Sequence, residues 1–187
     1  MPTDTRAEAD IRLDRILDFV EKGPNGTLRT HLDEWAAFEF GGELLTRTGR
    51  QRWFNNPCPI RQGPTLLKHM DWFHFEAAEI LRRGARGDPA VRKPKSGEPA
   101  PFRIIVEHAV PVRVIRELLK EDLRIRTRSS LREFLQHHFR RAVLAKKHDE
   151  VLRSTPSGRG ASLVSEMPSG WKAWGDPFAR YFHAGLA

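Results

Sequence analysis

Apolar positions along the first forty residues recur at helical spacing. Thr5-x-x-Glu8 has the form of a capping box, and Ala9, Leu13, Ile16, Leu17 and Val20 then share one face until Gly23-Pro24-Asn25-Gly26 stops the run. A second helix is predicted from about Thr27, with Leu28, Leu32, Trp35 and Ala36 on one side and a break at Gly41-Gly42. Pro64 suits the first turn of a third, whose stripe is Leu66, Met70, Phe73, Ala77 and Ile80 and whose end is Arg82-Arg83-Gly84. Helical spacing for a metal-binding histidine pair is four, so His69 and His74, five apart, read as surface or interface residues.

The pattern changes after a Gly-, Pro- and charge-rich stretch from Gly84 to Pro101, which marks the one plausible boundary. Phe102 to Val106 is a short apolar run that ends in Glu107-His108, with Pro111 turning the chain away: a buried strand that delivers an acid and an imidazole at its tip. A helix follows from Pro111, with Val112, Ile115, Leu118 and Leu119 inward. Leu123 to Arg128 alternates, and if extended it sets Arg124, Arg126 and Arg128 on one side about 7 Å apart, near the phosphate repeat of a strand. Ser130-x-x-Glu133 then opens another helix, 140–145 returns as a strand, and Lys146 begins a helix carrying His148. Near the end, Asp176-Pro177 reads as the start of a short helix, and Trp171, Trp174, Phe178 and Tyr181 as packing residues.

Charge sharpens the division. The chain of 187 residues carries a net +8. Residues 1–90 hold 13 Lys/Arg against 14 Asp/Glu, and residues 91–187 hold 19 against 10, so the basic excess belongs wholly to the second half. A polyanionic partner is expected from this, DNA more than RNA, against the alternative of a merely solvated basic surface. Arg113, Arg116, Arg124, Arg126, Arg128, Arg140, Arg141, Lys146 and Lys147 are the candidate contacts. Arg50, Arg52 and Trp53 join them from a loop in which Trp53 and Phe54 could equally plug the core. One cysteine, Cys58, excludes an internal disulfide framework and a cysteine-cluster zinc site. No apolar run is long enough to span a membrane, and the first residues lack the pattern of a signal peptide, so a cytoplasmic location is expected.

Glu107-His108-Ala109-Val110-Pro111 and the later Val143-Leu144-Ala145-Lys146-Lys147-His148 resemble the opening and closing motifs of the HNH, or His-Me finger (ββα-metal), nucleases over about residues 102–152. The resemblance implies an α+β, mostly helical chain: an N-terminal helical region (1–90) for target, dimer or partner contacts, then a ββα-metal-like module (91–187) with a helical insertion. It implies a DNA endonuclease, of a restriction or defence kind, that hydrolyses phosphodiesters with Mg²⁺ or Mn²⁺. Glu107 and His148 would be ligands, Asp149 a competing ligand, and His108 the general base. This chemistry needs a base that titrates near neutrality and a cation to offset phosphate charge. The family's middle Asn is absent, and His138 is the candidate to orient the base in its place.

Two other readings compete with this one. A PD-(D/E)xK site built on Asp88 and Glu107 lacks its lysine, since Ala109 stands two residues beyond Glu107. A non-catalytic nucleic-acid-binding or assembly protein would use the same arginines without a metal. Gly-x-Ser-x-Gly and Gly-x-x-x-x-Gly-Lys motifs are absent. A nuclease module of this size that cuts both strands would be expected to work as a homodimer or within a larger complex.

Overall fold

The computed structural model describes residues 5–22, 28–40, 70–91, 102 and 104–187. Within these the fold is α+β and mostly helical, as expected. Helices α1 (Thr5–Lys22) and α2 (Leu28–Glu39) come first. Strand β1 (Trp72–Phe73), helix α3 (Phe75–Ala85) and a 3₁₀ turn (Pro89–Val91) follow. Then come β2 (Ile104–His108), α4 (Val112–Glu121), α5 (Arg128–His138), β3 (Arg141–Ala145), α6 (Lys146–Ser154) and the short α7 (Ala179–His183). No described helix is long and apolar enough to cross a membrane.

The three strands form one sheet in the order β1-β3-β2. Strand β2 runs antiparallel to β3, pairing Ile104 with Ala145 and His108 with Arg141, while β1 runs parallel to β3 with Trp72 opposite Ala142. The central strand is buried at every position, as a strand covered on both faces must be. Val143 and Ala145 pack with Ala77, Ile80 and Leu81 of α3, whereas Ala142 and Leu144 face Leu152, Leu163 and Tyr181.

The largest core lies beside the sheet and joins both halves of the sequence. Leu13, Ile16, Leu32 and Trp35 of the first two helices pack with Ile115, Leu119, Leu131, Phe134, Leu135 and Phe139. Trp35 is fully buried and meets the rings of Phe40 and Phe139 edge-on. Charges close the rim of this contact: Arg132 bonds both Asp10 and Glu39 (3.2 Å to Glu39), and Arg128 holds Asp14 in a two-point pair at 2.5 and 2.6 Å. The boundary expected near residue 90 is therefore not a boundary of packing. Residues 1–90 and 91–187 share a core, and β1 of the first half joins the sheet of the second.

Local differences from the sequence pattern have local causes. The third helix begins at Phe75 because Trp72 and Phe73, aromatic residues that suit a pleated surface, pair with β3; Pro64 and Leu66 lie outside the described residues. Helix α5 starts three residues before the expected box: Thr127 is its N-cap, with Thr127 and Ser130 capping each other reciprocally. Leu123 to Arg128 is not an extended strand. Arg126 folds back onto the carbonyls of Leu119 and Ile125, both at 2.9 Å, and the first of these is an acceptor that the last turn of α4 leaves open.

Candidate metal centre

The two residues at the tip of β2 face opposite ways, as adjacent residues in a strand must. Glu107 turns to the C-terminal segment, accepting from Tyr181 Oη at 3.0 Å and pairing with Arg180 at 2.9 Å. Arg180 is buried and also donates to the carbonyls of Leu163 (2.8 Å) and His108 (2.7 Å). His108 turns the other way, its Nε2 3.2 Å from Asp33 of α2 and its ring against Phe139. Burial pushes the His108 pKa below its usual value, and the Asp33 carboxylate partly opposes the shift.

His148 does not meet this pair. Pairing of His108 with Arg141 places the tip of β2 at the start of β3, whereas His148 follows the end of β3; the four steps from Arg141 to Ala145 span about 13 Å of strand. The expected set of Glu107, His108 and His148 is corrected accordingly: the three residues lie in three environments. Asp149, the expected competing ligand, is held by Lys146 and by Arg153 (3.1 Å). His138 does not orient His108 either. Its Nδ1 faces the Phe134 carbonyl at 3.2 Å, and its Nε2 accepts from the Trp174 amide at 3.4 Å.

A different trio does converge. His74, at the junction of β1 and α3, Glu76 in the first turn of α3, and His148 in the first turn of α6 bring one donor atom each to within 4.8 Å of one another. The sheet sets this meeting up: parallel pairing of Phe73 with Val143, and the bond from the His74 amide to the Val143 carbonyl (3.0 Å), bring β1 to the strand that launches α6. The imidazoles of His74 and His148 stand 3.9 Å apart between centroids, and His148 Nε2 is 3.5 Å from Glu76 Oε2.

The protonation states suit cation binding. Burial lowers the pKa of both imidazoles; at His148 the neighbouring His74 lowers it further, and at both Lys147 adds to the effect while Glu76 opposes it. The Lys147 ammonium, bonded to Glu76 at 2.8–2.9 Å, holds that carboxyl below the usual range. Two neutral imidazoles and a carboxylate are therefore presented at neutral pH. His148 Nδ1 is buried without a hydrogen-bond partner, on the opposite side of the ring from the nitrogen nearest Glu76. Tetrahedral bonds of about 2.1 Å place neighbouring ligands about 3.4 Å apart, so this trio could hold a metal ion after drawing in by about 1 Å.

His74 has a second duty. Its Nδ1 accepts the Glu76 amide at 3.2 Å, capping α3 in place of the usual Ser, Thr, Asp or Asn. A neutral imidazole offers one lone pair, so a cation and the cap compete for the same ring. The sequence carries a trace of this trio as His74-x-Glu76, two residues apart at a strand-to-helix junction, a spacing that a search for helical four-residue pairs passes over.

The candidate nucleic-acid contacts are mostly engaged within the chain. Arg141 is buried, lies over the Phe40 ring and bonds Asp71; burial lowers its pKa to about 10, and it is not a surface contact. Arg140 also bonds Asp71, Arg113 bonds Glu117, Arg124 bonds Asp122 and Arg128 bonds Asp14. Arg116 is exposed, Lys146 bonds Asp149, and Lys147 bonds Glu76 of the trio. Arg50, Arg52 and Trp53 lie outside the described residues. No family model, curated protein or solved structure matches the chain.

Proposed function

We propose that the chain is a divalent-metal-dependent phosphodiesterase acting on nucleic acid, with its metal held by His74, Glu76 and His148. The observation that carries this reading is the convergence of those three side chains, two imidazoles whose burial favours the neutral form and a carboxylate, beside Lys147 in a chain of net charge +8. A set of two imidazoles and one carboxylate leaves coordination positions open and, among the ions expected, favours Mn²⁺ over the oxygen-seeking Mg²⁺; it also suits Zn²⁺. A bound ion would supply Lewis acidity at a phosphoryl oxygen. Lys147, exposed and paired with Glu76, would offset charge on the substrate phosphate.

The antiparallel β2-β3 pair running straight into α6 is consistent with the ββα order of the HNH nucleases, but His108 would not serve as base in this arrangement. Its engagement with Asp33, away from the trio, favours the second reading, a nucleic-acid-binding protein without catalysis. The readings separate when Mn²⁺ and Zn²⁺ uptake is measured by calorimetry and cleavage of plasmid, linear and single-stranded DNA is followed in the same ions. His148→Ala should weaken metal binding by at least about 100-fold, more than the loss of an outer-shell partner, and abolish cleavage with it. Cleavage that survives His148→Ala refutes the assignment, and DNA binding without metal uptake selects the second reading.

A further inference from the structure

Beside the trio stands a residue that neither metal binding nor the core explains. Phe75, the first residue of α3, is 73% exposed, the most open phenylalanine among the described large apolar residues. Its ring lies 4.5 Å from the His74 ring at a tilt of 34°, so the imidazole supports one side and leaves the aromatic surface facing outward. His74 in turn is 3.9 Å from His148, which keeps Phe75 one ring away from the donor atoms. Lys147, with a side chain 65% exposed, reaches the same site through Glu76. An open aromatic face, a cation and a metal-capable trio thus share one short stretch of surface.

We infer that Phe75 is the base-stacking platform of this site and that its ligand is single-stranded DNA. In a duplex each base face is covered by its neighbours, and only edges reach the grooves, so a lone exposed ring has no face to meet. In a single strand an unstacked base can lie flat on an aromatic side chain while its phosphate is met by a cation, a combination that tolerates any sequence. Stacking on Phe75 would bring the adjoining phosphate toward His74, Glu76 and His148. The inference rests on the proposed metal-dependent reading for its catalytic consequence and on Phe75 and Lys147 for its binding consequence.

The test uses the full chain with Mn²⁺ and a fluorescent phosphorothioate oligodeoxynucleotide of mixed sequence, alone and as a duplex, read by anisotropy; Mn²⁺ affinity is measured in parallel by calorimetry. Phe75→Leu should weaken single-strand binding by about 5- to 150-fold, the fold-change equivalent of about 1–3 kcal/mol of base stacking, and leave Mn²⁺ affinity and duplex binding unchanged. Phe75→Trp should retain single-strand binding. Unaltered single-strand binding in Phe75→Leu, or a wild-type preference for duplex, overturns the inference while leaving the metal reading standing. A parallel loss of Mn²⁺ affinity in Phe75→Leu also overturns it, because the ring would then act by supporting His74. A wild type that takes up no Mn²⁺ but loses single-strand binding through Phe75→Leu upholds the platform and removes the metal reading.

Discussion

His138 should make the stability of this protein depend on pH, by an amount the structure allows to be worked out. Its ring is fully buried, stacked on Phe134 at 4.2 Å and met edge-on by Trp174 at 5.2 Å. One nitrogen faces a carbonyl and the other accepts an amide, so the neutral ring is satisfied, whereas a second proton would point at the Trp174 N–H. Burial, with a smaller push from His137, lowers its pKa to about 3. The unfolded chain takes up this proton near pH 6.5, well before the folded one does. The contribution of His138 is therefore complete above about pH 6.5 and declines by about 1.4 kcal/mol per unit as pH falls toward about 3. Between about pH 7.5 and about pH 4.5 the loss integrates to about 2–3 kcal/mol, a sizeable part of the about 5–15 kcal/mol typical of a domain. Urea unfolding of wild type and His138→Gln across this range isolates the effect, because the other titrating groups cancel in the difference. The wild-type advantage should shrink by that amount on acidification; a difference that stays constant with pH would refute the reasoning.

The remaining predictions concern buried charge. Arg180→Ala leaves Glu107 half-buried without its cation and two carbonyls without their donor, and should cost about 3–5 kcal/mol by urea unfolding, whereas Tyr181→Phe removes the bond donated to Glu107 and the one accepted from Arg180 and should cost about 2–3 kcal/mol. Arg132→Ala breaks the link from α5 to Asp10 and Glu39 and should lower stability by about 2–4 kcal/mol, less in Arg132→Ala/Glu39→Gln than the sum of the two single changes, as a double-mutant cycle would read.

Elements were legible in the sequence where one periodicity ruled. The stripe of Ala9, Leu13 and Ile16 in α1 is buried, as its spacing predicts, and the apolar runs of β2 and β3 are strands within a residue or two of the expected bounds. Trp72 and Phe73 were not, because two residues cannot show a period and their pairing partner lies seventy positions away. The arginines after Leu123 form a phosphate-facing row only on an extended backbone; carboxylates and helix-end carbonyls take up Arg124, Arg126 and Arg128 instead. Of the candidate trio, the sequence singles out His148 as a ligand and not its partners. Glu107 and His108 attract notice as neighbours in sequence, but a strand sends neighbours to opposite faces, while His74 and His148 meet through a parallel pairing that no local pattern announces.

The core that joins α1 and α2 to α5 has a consequence for the order of events in synthesis. Leu13, Leu32 and Trp35 find their partners among Leu131, Phe134, Leu135 and Phe139, about a hundred residues later. At about 5–20 residues per second, the ribosome leaves the finished N-terminal hairpin waiting about 5–20 s with a large aromatic face uncovered. The two helices touch each other meanwhile, but Trp35 cannot be enclosed until Phe139 emerges. The nascent chain is thus a period of sticky, half-built surface followed by closure over long sequence separation, the regime in which chaperone demand is set by topology rather than by final stability.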